Sequence, residues 1–403
     1  MNGASGESGP LRLGDIARVF DPARLTQARR IARMSKTELR QRVGVSAAAI
    51  GQYERGEVKP RGETIEALAD ALQVPPGYFA LGRPRAQVEV AEASFRRLRS
   101  TTVAQQQQAT AYVEQVWELS CYLEEQVEFP ELDLPSWAFP ESQEPIDPVT
   151  AARLLRSHWG LGAGPVVDLV AEIENHGVIV VLFSMKEEGS DEKSRIDAFS
   201  TTALSRPVIV MTPDKADDVL RHRFSAAHEI GHIVMHHGRH GSDSEMERQA
   251  DRFAAEFLTP DAAIRPLLPH RVNFDRLEAL SQHWGVSVHS LLYRMRELEL
   301  VSESTARRAY ITLSSTPRRP QSIRDFPGEQ PELLRRAIEL LEENDIPLAH
   351  IAADLQLPLR RVRQLAGIDS PKPRLTLVKN TNVRPLQAAP LTERERESEE
   401  EGG

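Results

Sequence analysis

His228-Glu229-Ile230-Gly231-His232 is the run in this sequence best equipped to do chemistry. Two histidines four residues apart project from the same side of a helix, so both imidazoles can meet one metal ion. Glu229 beside them can take a proton from a water that the ion acidifies, which is the working arrangement of a zinc hydrolase. A third ligand sorts the possibilities. Ten residues after His228 stands Gly238, which excludes the three-histidine version of the pattern. His236 lies a further turn along the same helix, away from the metal, and His237 and His240 follow in the loop. All three are read as partly exposed helix-end residues outside the ligand set.

The next helical stretch, about residues 244–258, offers better donors. Met246, Ala250, Phe253, Ala254 and Phe257 form its apolar stripe, and Glu247 and Asp251 border that stripe one turn apart. Glu245, Gln249, Arg252 and Glu256 fall on the solvent face. Glu247 is thereby placed to ligate, and Asp251 to accept the free ring N–H of a liganding histidine. A capping box between Ser244 and Glu247 is the alternative use of Glu247, but it leaves Asp251 unaccounted for. His228, His232 and Glu247 with an open fourth position make the donor set of catalytic rather than structural zinc. One Zn2+ ion is expected, with another divalent metal left open. With Glu229 as general base the reaction class is peptide-bond hydrolysis.

These side chains need elements to hold them. A helix over about 217–236 carries the histidine pair, and Pro260 ends the helix that carries Glu247. Upstream, helical stretches near 149–159 and 165–176 lead into an apolar β-branched run at 178–183, with further short strands at 196–200 and 208–211. Helices, then strands, then helices describe an α+β domain with a small sheet, whose edge can pair with an extended substrate.

The run Arg223-Phe224-Ser225-Ala226-Ala227-His228-Glu229-Ile230-Gly231-His232, then Glu247, Ala250-Asp251 and Phe253-Ala254-Ala255-Glu256-Phe257-Leu258-Thr259-Pro260, resembles the ImmA/IrrE metallo-endopeptidases. The resemblance covers about residues 148–300 and includes Asp197-Ala198-Phe199-Ser200 and Arg206-Pro207-Val208-Ile209-Val210. It implies a zincin-like (gluzincin-type) fold with His228, His232 and Glu247 as ligands and Glu229 as base. It also implies a cytoplasmic zinc peptidase that cleaves a helix-turn-helix repressor and so derepresses stress or mobile-element genes.

Towards the N-terminus the texture is helical with short breaks. Ser35 and Glu38 form a capping box, Gly44 makes a turn, and Ser46 opens a helix through Ile50 and Tyr53 that Gly56 stops. Two short helices joined by a glycine turn are the helix-turn-helix pattern. Residues 46–55 form its recognition helix, with Ser46, Ala47, Ala48 and Gln52 facing the bases and Arg40, Arg42, Arg55 and Lys59 holding phosphates. Val45-Ser46, Ile50-Gly51-Gln52-Tyr53-Glu54-Arg55-Gly56, Pro60 and Leu72-Gln73-Val74-Pro75 resemble the Xre (Cro/repressor-type) domain over about 60 residues. Lys36 departs from that pattern, standing where the family often has Gln.

Composition sets the frame. The 403 residues carry a formal net charge of -9, yet residues 21–82 hold ten Lys and Arg against seven Asp and Glu, so the basic charge is local. A single cysteine excludes a disulfide scaffold and a thiolate zinc cluster, so any metal must rest on His, Asp and Glu. No apolar run approaches the roughly 18 residues of a spanning helix, and a cytoplasmic protein without membrane contact is expected. The expected fold is multidomain. A flexible leader (1–20) precedes an all-α helix-turn-helix domain (21–82), a linker with a long helix (83–147) and the α+β peptidase domain (148–300). An α-helical region, helix-turn-helix-like, follows (301–370), then a disordered acidic tail (371–403). Arg360, Arg361 and Arg363 are open between DNA contact and a packing or dimerisation role. Gln105 to Gln108 form a polar run without evident function, and Cys121 is read as core.

Operator DNA and a helix-turn-helix repressor as substrate are the expected partners, with a homodimer left open. The same residues also admit a transcription factor whose metal site is structural or sensory, and an antitoxin-like component. An intact Glu229 favours catalysis, because a structural site has no use for a base.

Overall fold

Local chemistry starts the N-terminal helices α1 (Leu13–Val19), α2 (Pro22–Ile31), α3 (Lys36–Val43), α4 (Ala47–Glu54) and α5 (Gly62–Leu72). Ser35 and Glu38 close a capping box on α3, Gly44 ends it at φ 75°, and Ser46 Oγ accepts the Ala49 N–H to begin α4. Glu54 accepts from Arg29 Nε (2.6 Å) and Lys36 Nζ (2.9 Å), which ties α2, α3 and α4 together. Lys36, the departure from the family pattern, therefore serves the fold. The computed structural model describes residues 12–82, 102–138, 146–184, 198–212, 218–236, 243–315 and 329–368. Residues 83–101, Asp197, His237, Gly238, His240 and the expected tail lie outside them. Part of the expected flexible leader is instead α1. Ile16 and Phe20, spaced four apart, are buried, and the Phe20 ring lies 5.9 Å from that of Phe79.

The 22-residue helix α6 (Val103–Glu124) is buried at every residue from Ala109 to Ser120. Burial of several of its polar groups is offset by partners reached across the core. Towards α2, Glu118 Oε2 accepts from Arg24 Nη1 (2.7 Å) and Glu114 Oε2 from Gln27 Nε2 (2.8 Å), while Gln115 Nε2 donates to Tyr78 Oη (3.3 Å). Burial beside these groups pushes the Tyr78 hydroxyl up to about 12. The polar run at its start has a structural use: Gln105 closes a capping box with Thr102, and Gln108 Nε2 donates to the Ile31 carbonyl. Cys121 is half-buried and packs at the edge of this core. On another side α6 meets α15 (Leu333–Glu343) and α17 (Leu359–Leu365), which with α16 (Leu348–Asp354) make a C-terminal helical module. Arg360, though exposed, donates to the Gln73 side chain, and Arg361 sits half-buried beside Tyr112 and Tyr78, while Arg363 is exposed.

The sheet has three strands, β1 (Ile179–Leu182), β2 (Ala198–Thr201) and β3 (Val208–Met211), in the order β1-β3-β2. β1 runs parallel and β2 antiparallel to β3. Strand side chains alternate between faces. Ile179, Val181, Phe199, Val208 and Val210 join the core around α6, while Val180, Ala198, Ile209 and Met211 join a second core. The second core is shared with α7 (Pro148–His158), α8 (Leu169–Asn175), α9 (Val219–His236), α10 (Asp243–Leu258), α11 (Asp261–Ile264), α12 (Phe274–Trp284), α13 (Val288–Glu297) and α14 (Glu303–Ser315). Glu256, expected on the solvent face of α10, is only 1% exposed. Arg294 from α13 and Arg153 from α7 reach over α10 to pair with it. Among the described residues no helix is long and apolar enough to cross a membrane.

Candidate metal centre

The sheet and α10 sandwich α9, so His228, Glu229 and His232 are 0%, 1% and 6% exposed. Gly231 permits this closeness: a Cβ there would lie 2.9 Å from Phe253 Cδ1 on α10. The approach carries Glu247 to the histidines. Its Oε1 lies 3.2 Å from His232 Nε2 and its Oε2 3.5 Å from His228 Nε2, and the two Nε2 atoms are 2.9 Å apart. Donors about 2.0–2.1 Å from a tetrahedral ion sit roughly 3.3 Å from one another, so these three edges fit zinc, as does the mix of imidazole nitrogen and carboxylate oxygen. Among the described residues this is the one such grouping of three ligand types. Burial works against ionising Glu247, but the two imidazoles outweigh it and hold the carboxyl well below the usual carboxylate range.

Neighbouring side chains orient these groups. His228 Nδ1 lies 2.8 Å from Asp251 Oδ1. Ser200 Oγ donates to Glu229 Oε2 at 2.7 Å, a contact absent from the sequence reading. Ser200 pairs with Ile209 across β2 and β3 and shares the parity of Ala198, which turns it towards α9. His236 ends α9, partly exposed as expected, yet it is engaged on both ring nitrogens. It is half-buried, with Nδ1 2.9 Å from His232 Nδ1 and Nε2 2.9 Å from Gln249 Oε1. Burial, reinforced by His232, pushes His236 down to about 4.

At the other end of the chain Ser46, Ala48 and Gln52 are exposed on α4, with Ala47 half-buried. Arg40 and Arg42 are exposed on α3. Arg55 is already engaged with Glu57 (2.5 and 3.0 Å), and Lys59 donates to the Arg18 carbonyl. Ser46 Oγ accepts the capping bond from the Ala49 N–H at 3.0 Å, which leaves its O–H able to donate.

A helix-turn-helix unit and an α+β unit with a His-Glu-x-x-His helix define a DNA-binding regulator type of protein with a metallopeptidase-family domain. The comparisons agree: residues 25–79 match the helix-turn-helix family and residues 173–296 the IrrE N-terminal-like domain, a peptidase family. Repressor protein C2 of Salmonella phage P22 is 46% identical over 56 residues, 13% of this chain and 26% of the repressor. That likeness thus spans about a quarter of the repressor's length. The chain carries an Xre-like domain and an ImmA/IrrE-like domain.

Proposed function

We propose that this chain binds operator DNA through α3 and α4 and hydrolyses a peptide bond in a helix-turn-helix repressor at the centre on α9 and α10, so relieving repression. One observation carries the reading: a fully buried carboxylate, Glu229, is held by Ser200 beside a two-histidine, one-carboxylate donor set. A structural site needs no such base. His228, His232 and Glu247 would hold a divalent ion, zinc by the chemistry of the donors, which when bound would supply Lewis acidity towards the scissile carbonyl. Asp251 accepts the His228 ring N–H and fixes that imidazole's orientation. Glu229, its rotamer set by Ser200, takes the proton of the attacking water and delivers it to the leaving amine. Among the described strands β2 is a sheet edge that packs on α9, and an extended substrate strand pairs there.

Glu229→Gln separates catalysis from metal binding. Zinc content is expected to stay at the wild-type level while repressor cleavage and derepression disappear, and regulation that survives the change sinks the hydrolytic reading in favour of a sensory or structural metal. For the DNA half, Arg42→Ala should weaken footprints on all sequences with a shallower salt dependence, and Gln52→Ala should relax sequence preference. Unchanged footprints in both variants remove α3 and α4 as the reading surface.

A further inference from the structure

We propose that His236 is the positioning residue for His232, through a one-way hydrogen-bond relay from His232 through His236 and Gln249 to Glu245. The proposal rests on the metal reading above and assigns each ring nitrogen in turn. His232 turns Nε2 towards Glu247 and His228 Nε2, so that nitrogen must carry the ligand lone pair and Nδ1 the proton. The Nδ1–H needs an acceptor, and His236 Nδ1 stands 2.9 Å away. Accepting there puts the proton of His236 on Nε2, which donates to Gln249 Oε1 at 2.9 Å. That contact fixes the Gln249 amide, whose Nε2 donates to Glu245 Oε1 at 3.2 Å. Each polar atom along the path thereby has one role.

The relay explains an asymmetry in the site. His228 is backed directly by a carboxylate, Asp251, whereas His232 is backed by a neutral imidazole from its own helix. It also supplies a further tie between α9 and α10, beside those made by Glu247 and Asp251. His236 is not itself a ligand, because its two nitrogens face His232 Nδ1 and Gln249, on the far side of the His232 ring from Glu247.

Zinc affinity of the full-length chain, measured by competition with a chelating chromophore, tests the relay, and the visible spectrum of the cobalt-substituted protein reports donor geometry. His236→Asn keeps an acceptor oxygen close to the place of Nδ1, whereas His236→Leu keeps bulk and removes the acceptor. Loss of such an outer partner lowers metal affinity about 10- to 100-fold. His236→Leu is expected to show that loss with an altered cobalt spectrum, His236→Asn to recover most of it, and Gln249→Leu to show a smaller loss of the same sign. Wild-type affinity in His236→Leu overturns the relay, as does equal weakness in His236→Asn, which would make the role one of packing. Should His236→Leu fail to fold, Gln249→Leu decides alone, and unchanged affinity there overturns the relay. Glu247→Ala keeps the two readings apart. If zinc binding is indifferent to that change, the metal reading and the relay both fall; if it is abolished while His236→Leu binds normally, only the relay falls.

Discussion

Replacing Gly231 with alanine probes the separation of the two helices that build the candidate metal centre. The added Cβ would stand 2.9, 3.1 and 3.3 Å from Cδ1, Cγ and Cβ of Phe253. Ordinary carbon contacts lie at about 3.5–4.0 Å, so α9 and α10 must part locally by roughly 0.6–1 Å. Phe253 has little room to turn aside, being fully buried and stacked on Phe257 with ring centroids 5.6 Å apart. Overpacking of this kind costs about 1–3 kcal/mol. Alanine is better than glycine within a helix by about 1 kcal/mol, so the net loss lies between roughly zero and 2 kcal/mol. Metal affinity is the sharper reporter, because His232 adjoins Gly231 and Glu247 rides on α10. Ligand distances tolerate only about 0.2 Å, well under the required parting. Zinc binding is therefore expected to weaken by at least about tenfold, on the scale of a disturbed ligand shell. Thermal melting of the metal-free protein should fall by no more than roughly 8 °C. Adding Phe253→Leu makes room and should restore affinity, giving a non-additive double-mutant cycle. Wild-type affinity in Gly231→Ala, or strict additivity with Phe253→Leu, refutes the close-approach reading.

Two further outcomes concern stability. Burial pushes Glu174 up to about 8 from 4.5, although its carboxylate accepts from the N–H groups of Glu332 and Leu333. Folding favours the protonated form of such an acid, so this group costs no stability below about 4.5, costs progressively more as pH rises to about 8 and keeps its full cost above that. Glu174→Gln should flatten the urea midpoint across that window, and an unchanged slope would show that Glu174 ionises freely in the fold. Arg24→Met leaves Glu118 buried without its cation and should cost about 3–5 kcal/mol, with much of it recovered by adding Glu118→Leu. Denaturant titration of the two variants measures both, and a cost below about 1 kcal/mol for Arg24→Met would place the pair in solvent.

Features governed by near neighbours in sequence were legible before the structure. The capping box at Ser35 and Glu38, the turn at Gly44 and the apolar stripe of α10, with Glu247 and Asp251 one turn apart on its border, all follow from offsets of three or four residues. Features governed by distant partners were not. Glu256 reads as a surface residue until Arg294 and Arg153 arrive from other helices. Ser200 acquires meaning only when the order β1-β3-β2 fixes which face of β2 looks at α9. His236 sits at a helical offset from His232 that periodicity marks as near, but only the seating of Gln249 on α10 turns it inward. The partners of the polar residues of α6, Arg24, Gln27 and Tyr78, likewise lie far earlier in the chain, where no local offset announces them.

The burial of α6 on every side has a thermodynamic consequence. A DNA reader hung on a flexible tether would share no free energy with its neighbour, and an operator would protect the reader alone. Here one strut, roughly 33 Å long at 1.5 Å per residue, gives its flanks at once to α2, to the sheet through Tyr112 and Phe183, and to the C-terminal module. Opening any one of these seams strands Glu114, Glu118 or Tyr112 without cover. Whatever binds the folded form at one end therefore holds the other end folded too, by mass action.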